Sequence, residues 1–517
     1  MAAWARLVAL MAVAGATELV YVALWPLSYL LTQGLDFTTE YVTQYPWVWA
    51  RHQELRAIFD LLWPAASQEL GPAVDLLMGL FGAAFVLYLA GFALVSRGLP
   101  RHVGPGVLMG CLLGFQATLF LMPGLFTTDL FSYVAYGQIA GANRANPFIY
   151  PPAYFAHERV VGWIHPLWHF APSIYGPAWV DVSAAVSEAT TAWSTVDQVL
   201  AYKLIVNVSH LLGIAALAYA VQRLRPGAAL ASVYVWAWNP LVLFEFGGNG
   251  HNDAVMVALA LAGFALFAAG APLPGVLPVA LSVLVKMSTV LLLPFYVMGY
   301  ARSGRGLLSF LSRGTAAALL VVALAVGLYY PWWEGVETVG PIVNWTQGPM
   351  YNNYLPDILA RYVAANYVLG PDQPDPVLAL EQTREQTKLI AKAALAALCV
   401  IELAFASTAT RAAAAGARVM LVFLLVVNTW VLPWYFTWSL ALGAVVGWQS
   451  LLTKTIVGFS ASAMLVMYYK HFWHPYMADT TYILYVLPLL IPIVGIAMGG
   501  LRTAITPRRA SASPGLT

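Results

Sequence analysis

Charged side chains are scarce in this chain: Asp, Glu, Lys and Arg together make up 9% of its 517 residues, against about 25% in soluble domains. That scarcity excludes a water-soluble fold, whose surface needs many more polar side chains. Cysteine is nearly absent too. Cys111 and Cys399 both fall inside apolar runs, so neither a disulfide framework nor a zinc site can be built from them, and the redox compartment stays unread. Neither sign of charge dominates. With 25 basic and 23 acidic residues the formal net charge is +2, which gives no footprint for nucleic acid. No internal repeat of the kind that marks many transporters is found.

What the chain has instead is apolar and aromatic. Hydrophobic residues reach 61%, with 19 Trp and 27 Tyr, and the mean hydropathy is +0.73. Trp and Tyr collect at membrane interfaces because each ring pairs an apolar body with a polar tip. Runs near the ~20-residue length that crosses hydrocarbon occur at about 5–31, 73–96, 104–125, 197–221, 229–246, 254–271, 315–332, 388–409, 418–435, 436–452, 455–470 and 481–500. A further run, 275–300, is interrupted near Lys286 and Pro294. The first run carries Ala14-Gly15-Ala16, which resembles a signal cleavage site, but it continues through Trp25 and Leu31, beyond the length of a signal core.

With the N-terminus placed in the cytoplasm, the inner loops carry Arg97 and Arg101, Arg223 and Arg225, Arg302, Arg305 and Arg313, Arg411 and Arg418, Lys454, and Arg502, Arg508 and Arg509, with no Asp or Glu. Acidic residues gather in the opposite segments: Asp36 to Glu69, Asp129 to Asp197, Glu334 to Glu385, and Asp479. The positive-inside rule therefore predicts both termini in the cytoplasm. Keeping Arg302 to Arg313 inside requires either that 275–300 enter and return as a pair of half-helices or that a neighbouring run does not span; the returning pair is the expectation. The expected architecture is an all-α polytopic membrane protein of about 12–14 transmembrane helices. It forms one domain over 1–517, ending in a disordered cytoplasmic tail at 503–517.

Long outer connections at 32–72, 126–196 and 333–387 are where function is expected. In the second, the turn pair Pro123-Gly124 and a capping Thr127 or Thr128 precede a helix on which Asp129, Ser132, Tyr133 and Tyr136 share one face. That helix should stop near Gly141, with Asn143-Arg144-Ala145-Asn146-Pro147 as a turn. A second cluster, WAWNPLVLFEFGGNGHNDAVM from Trp236, puts Glu245, His251 and Asp253 at membrane depth, where charge is costly and tends to be functional. Asn252 or Asp253 is expected to cap the next helix. No strong metal-binding spacing is present.

These motifs resemble the membrane glycosyltransferases of the C superfamily (GT-C) that use polyprenyl-phosphate sugars, particularly the actinobacterial alpha-1,6-mannopyranosyltransferases. The resemblance lies in DLFSYVAYGQ with NPFIYPP, YGPAW at Tyr175 to Trp179, the NP and GGNGHNDAVM segments, Lys286 with LLLPF, and PWYFTW at Pro433, in the family's order across 129–438. Where the family often has Tyr after the motif Asp, this chain has Leu130 and Phe131.

The resemblance implies a GT-C-like bundle, with short interfacial helices in its outer loops and a site on the outer face of the plasma membrane. Asp129 is then the general base, and single displacement inverts the anomeric centre. Arg144, His251 and Lys286 are candidates for neutralising the lipid phosphate. Asp253 orients His251 or binds acceptor hydroxyls. Tyr133, Tyr136, Tyr175 and Trp179 form a sugar-stacking wall, and Asn146, Asn249 and Asn252 complete the substrate-binding set. The implied partners are a polyprenyl-phosphate donor, a glycan or glycolipid acceptor and membrane lipids; a monomer is expected, without a cofactor, a divalent metal being left open. A transporter or flippase, or a ligase of lipid-linked glycans, is the competing function.

Overall fold

The computed structural model describes residues 1–341, 351–353, 355–368, 375–473 and 481–505. Of the expected tail at 503–517, residues 503–505 end the helix Thr481–Ile505; 506–517, Asp479 and part of the 333–387 connection lie outside the described residues. Among those described, every regular element is helical, and the single β-bridge pairs Asn352 with Trp430.

Among the described residues, six helices are long and apolar enough to cross a membrane: Ala2–Thr32, Leu70–Val95, Thr195–Leu224, Leu307–Trp332, Ala409–Val427 and Leu451–Phe472. The pair Ala229–Ala237 and Pro240–Gly248, bent by 54° where Pro240 removes a backbone donor, forms a broken span or a re-entrant loop. Shorter apolar helices cover Gly104–Phe120, Asp253–Ala268, Pro272–Val285 and Ile483–Gly495. The protein is thus polytopic, but fewer of the expected runs are uninterrupted helices than their hydropathy suggests. The runs at 104–125, 254–271 and 436–452 form helices of 17, 16 and 11 residues, shorter than the runs themselves. The expected 436–452 span is one case, because its helix ends at Val446 and Gly447 turns the chain at φ 100°.

Thr195–Leu224 packs along Asp253–Ala268, which in turn packs on Pro272–Val285, while Ala2–Thr32 lies against Leu70–Val95. Leu307–Tyr329 packs on Pro272–Val285 and Leu293–Arg302 from the outside, with Ala317 its one buried residue. Its 23 residues span about 35 Å, enough to cross hydrocarbon with its apolar surface given to lipid.

Long-range polar contacts sort the loops into two ends. Arg6 Nε donates to Gly98 O, Arg225 to Ala444 O and Val445 O, and Arg302 to Leu403 O and Ala404 O. Arg225 and Arg302 thereby serve the C-terminal carbonyls of Phe436–Val446 and Pro376–Phe405, a position that favours cations. Each of these contacts lies in or beside one of the basic loops, and Glu402 next to Leu403 pairs with Arg418. At the other end, Tyr45 and Gln44 bond Asp197, Arg159 pairs with Glu40, and Trp332 Nε1 bonds Asp181. The acidic connections therefore meet one another.

The 275–300 run does return. Helix Pro272–Val285 ends at Lys286, which is extended (φ −151°, ψ 123°), and a 3-10 turn leads into Leu293–Arg302, whose first turn holds Pro294. Tyr296 OH then donates to Gly263 O and Pro272 O, at 2.8 and 3.2 Å. Residue 296 is thus back level with the start of the first half-helix, and Lys286 is the tip between them.

Candidate active site

Asp129 opens helix Asp129–Gly137. The Thr127 hydroxyl accepts its backbone N–H at 3.2 Å, so Thr127 rather than Thr128 supplies the local cap. The helix continues as a π-turn to Ala142, close to the predicted stop. Gly250 brings the second motif against it. Its φ is +73°, and a Cβ there would lie 2.8 Å from the Leu130 side chain, so glycine is required by conformation and by space. Gly176 does the same for the YGPAW turn, since a Cβ would lie 2.0 Å from Leu284 O; its N–H bonds Val285 O at 3.0 Å. The backbone beside Tyr175 thereby touches the chain just before Lys286.

These approaches enclose a cleft of about 510 Å³, lined by Asp129, Ser132, Tyr136, Trp168, Ala171, Ile174, Tyr175, Lys286, Trp430, Leu432 and Tyr435. One carboxylate and one ammonium thus face a space walled by Tyr and Trp rings. The Asp129 side chain is 23% exposed.

Lys286 does not stand alone. Its Nζ donates to both oxygens of Asp253, at 2.9 and 2.8 Å, and lies 5.0 Å from the Tyr435 ring centre and 5.5 Å from that of Trp438. Trp438 Nε1 also donates to Asp253, at 2.5 Å. Asp253 was expected to cap its helix or orient His251; instead its carboxylate is spent on Lys286 and Trp438. Asn252 is the N-cap residue but makes no side-chain cap bond. Its Oδ1 accepts the Tyr133 hydroxyl at 3.2 Å.

His251 is fully buried and stacked on Trp434, ring centres 3.7 Å apart. Its Nδ1 is 3.5 Å from Asp129 Oδ2 and its Nε2 is 3.3 Å from Glu245 Oε2. These are ion-pair distances, and neither nitrogen has another hydrogen-bond partner among the described residues. Burial opposes the imidazolium, yet the two carboxylates outweigh it and raise the His251 pKa from 6.5 to about 9. Burial likewise opposes ionisation of Asp129; His251, Lys286 and Thr127 outweigh it and hold the carboxyl below its ordinary value of 3.8. The result is an ionised carboxylate on the cleft wall, braced by a buried cation.

Of the remaining predicted residues, Tyr136 and Tyr175 line the cleft. Tyr133 is buried behind it, in edge contact with Tyr175 and Trp179. Asn249 bonds Glu245 and Tyr468. Arg144 and Asn146 are not among the lining residues. Arg144 is exposed in the turn at φ 50° and makes no ion pair among the described residues, while Asn146 Nδ2 ties the loop to Trp332 O and Glu334. Glu245, Tyr468, Trp168 and Trp430 were not assigned to the site from the sequence. Glu245 was visible as an intramembrane acid; Tyr468 and Trp430 carried no local signal.

Fold and cleft together define a polytopic membrane protein with a carboxylate-centred, aromatic-walled site. The alpha-(1->6)-mannopyranosyltransferase N-terminal domain matches residues 46–302, and the MptB C-terminal domain matches 376–494. The chain belongs to the alpha-(1->6)-mannopyranosyltransferase family. It is 25% identical over 413 residues to alpha-(1->6)-mannopyranosyltransferase A of Mycobacterium tuberculosis, covering 75% of this chain and 76% of that protein. To alpha-(1->6)-mannopyranosyltransferase B of Corynebacterium glutamicum it is 27% identical over 360 residues, covering 63% of this chain and 56% of that one.

Proposed function

We propose that this chain is a mannosyltransferase that moves mannose from a polyprenyl-phosphate donor to a glycan or glycolipid acceptor at the outer face of the plasma membrane. The observation that carries this reading is the Asp129 carboxylate, in place on the wall of the cleft and 3.5 Å from His251. An acceptor hydroxyl attacks the anomeric carbon, the bond from that carbon to the phosphate oxygen breaks with its electron pair leaving on the phosphate, and Asp129 takes the hydroxyl proton. A single displacement of this kind inverts the centre, so a beta-linked donor gives an alpha-linked product.

The leaving phosphate is a stable anion and needs neutralisation more than an acid. Lys286 is the cation on the cleft wall, and its bidentate hold on Asp253 fixes it there. Tyr136, Tyr175, Trp168, Trp430 and Tyr435 offer flat faces for sugar rings. We also propose that the 46–302 and 376–494 stretches act as one catalytic unit, because the cleft draws residues from both. The outer-face assignment is supported by the meeting of the acidic connections at the cleft's end of the bundle and of the basic loops at the other.

A transporter would need its buried charges to line a path. Here Glu18 accepts from Thr118, Glu402 pairs with Arg418, and Lys286 pairs with Asp253, three separate local pairings. The test is purified protein in detergent with candidate polyprenyl-phosphate sugars and acceptors, following the released lipid phosphate. Release that depends on acceptor and on a mannose donor supports the proposal. No release with any donor opposes it, since a transporter gives no transfer without a membrane.

A further inference from the structure

Glu245 lies in the π-turn Leu243–Gly248, fully buried and outside the cleft lining. An ionised carboxylate at such depth is costly unless several groups hold it. Tyr468 OH donates to Oε1 at 2.8 Å, Asn249 Nδ2 donates to Oε2 at 2.8 Å, and His251 Nε2 stands 3.3 Å from Oε2. Asn249 Oδ1 also accepts the Phe126 N–H at 3.1 Å, which ties this cradle to the segment leading into Asp129. Glu245 reaches the cleft through His251, whose other nitrogen faces Asp129.

We infer that Glu245 is a positioning residue, which keeps His251 protonated and oriented so that the imidazolium holds Asp129 ionised and in place for the acceptor hydroxyl. This rests on Asp129 being the base. The second carboxylate also answers a charge problem. Once Asp129 has accepted the proton it is neutral, and a lone buried imidazolium would be stranded; paired with Glu245 it is not. Without the Glu245 charge, burial strips the imidazole proton more easily, and Asp129 loses its cation.

Lys286 and Asp253 also face this unit, and they form their own pair. The phenols of Tyr133, Tyr136, Tyr175, Tyr435 and Tyr468 ordinarily titrate near 10, outside the range that matters here.

The experiment is steady-state mannose transfer by the full-length protein in detergent, with polyprenyl-phosphate mannose as donor, across pH. Glu245→Gln is expected to lower kcat by at least about tenfold, less than the roughly 10²- to 10⁴-fold of a group that itself transfers the proton, with KM for the donor little changed. The midpoint of its acid limb moves upward. Glu245→Gln combined with His251→Gln is no slower than His251→Gln alone, because Glu245 acts through His251. Tyr468→Phe keeps the carboxylate and removes one donor; it is expected to fold and to shift the acid limb in the same direction by less.

A wild-type rate and acid limb in Glu245→Gln, or in Tyr468→Phe if Glu245→Gln does not fold, overturns the proposal, as do losses that multiply in the double variant. Full activity of Asp129→Asn overturns the general-base reading instead. An inactive Asp129→Asn beside an unaffected Glu245→Gln overturns the role of Glu245 alone.

Discussion

Oδ2 of Asp129 lies 3.5 Å from Nδ1 of His251, so the first residue of one helix and a loop residue far along the chain form a single charged unit. Most of what can be tested follows from that contact and from its neighbour, the Lys286–Asp253 pair.

Removing the imidazole takes away the cation nearest Asp129. His251→Ala and Asp253→Asn are each expected to cut turnover by at least about tenfold, or about 1.4 kcal/mol of transition-state stabilisation. Initial rates at saturating donor check this. Unchanged rates in both variants return the cluster to a purely structural role.

Lys286 and Asp253 are a partly buried pair. Lys286→Met leaves the Asp253 carboxylate without its counter-ion, so stability should fall by about 3–5 kcal/mol, read as a lower Tm in detergent. The double change Lys286→Met with Asp253→Leu should recover much of that stability while remaining inactive. Tm values for the two variants that are equal to each other count against the pairing.

The sign of the pH dependence differs for the two ends of the charged unit. The folded-state pKa of His251 is raised from 6.5 to about 9, so its contribution to stability is full below about 6.5 and is lost as pH rises through about 9. Tm of the wild type should therefore fall between pH 7 and pH 9.5 (about 2.5 pH units) by more than that of His251→Gln. The Asp129 pKa is lowered, so its contribution is present above the ordinary carboxylate range and is lost as pH falls through the lowered value. The acid limb of kcat/KM should accordingly lie below pH 4, about the ordinary Asp value. An acid limb near neutrality contradicts this.

Gly250 carries a positive φ against Leu130. Gly250→Ala is expected to lower stability by more than about 1 kcal/mol and to lower kcat, because the displaced Leu130 adjoins the base. Parallel Tm and rate measurements check it. A silent variant would mean that the two motifs tolerate separation.

Much of this was legible in the sequence, and the parts that were not share a cause. The Asp129 helix was readable because its signals are local: a Pro-Gly turn, a threonine and a spacing of 3.6. The returning segment was readable because the positive-inside rule leaves Arg302 no other place. The partners of Asp253 were not legible, because Lys286 and Trp438, which hold its carboxylate, are distant in sequence. Glu245 sits on a π-turn, where helical spacing fails, and Tyr468 is 223 residues away; no periodicity connects them.

The central claim is that Asp129 takes the proton from the acceptor, and it is tested most directly by Asp129→Asn assayed for release of polyprenyl phosphate. The amide keeps the shape and loses the proton acceptor. Transfer should be abolished while expression and donor binding remain. Wild-type turnover by Asp129→Asn would contradict the claim.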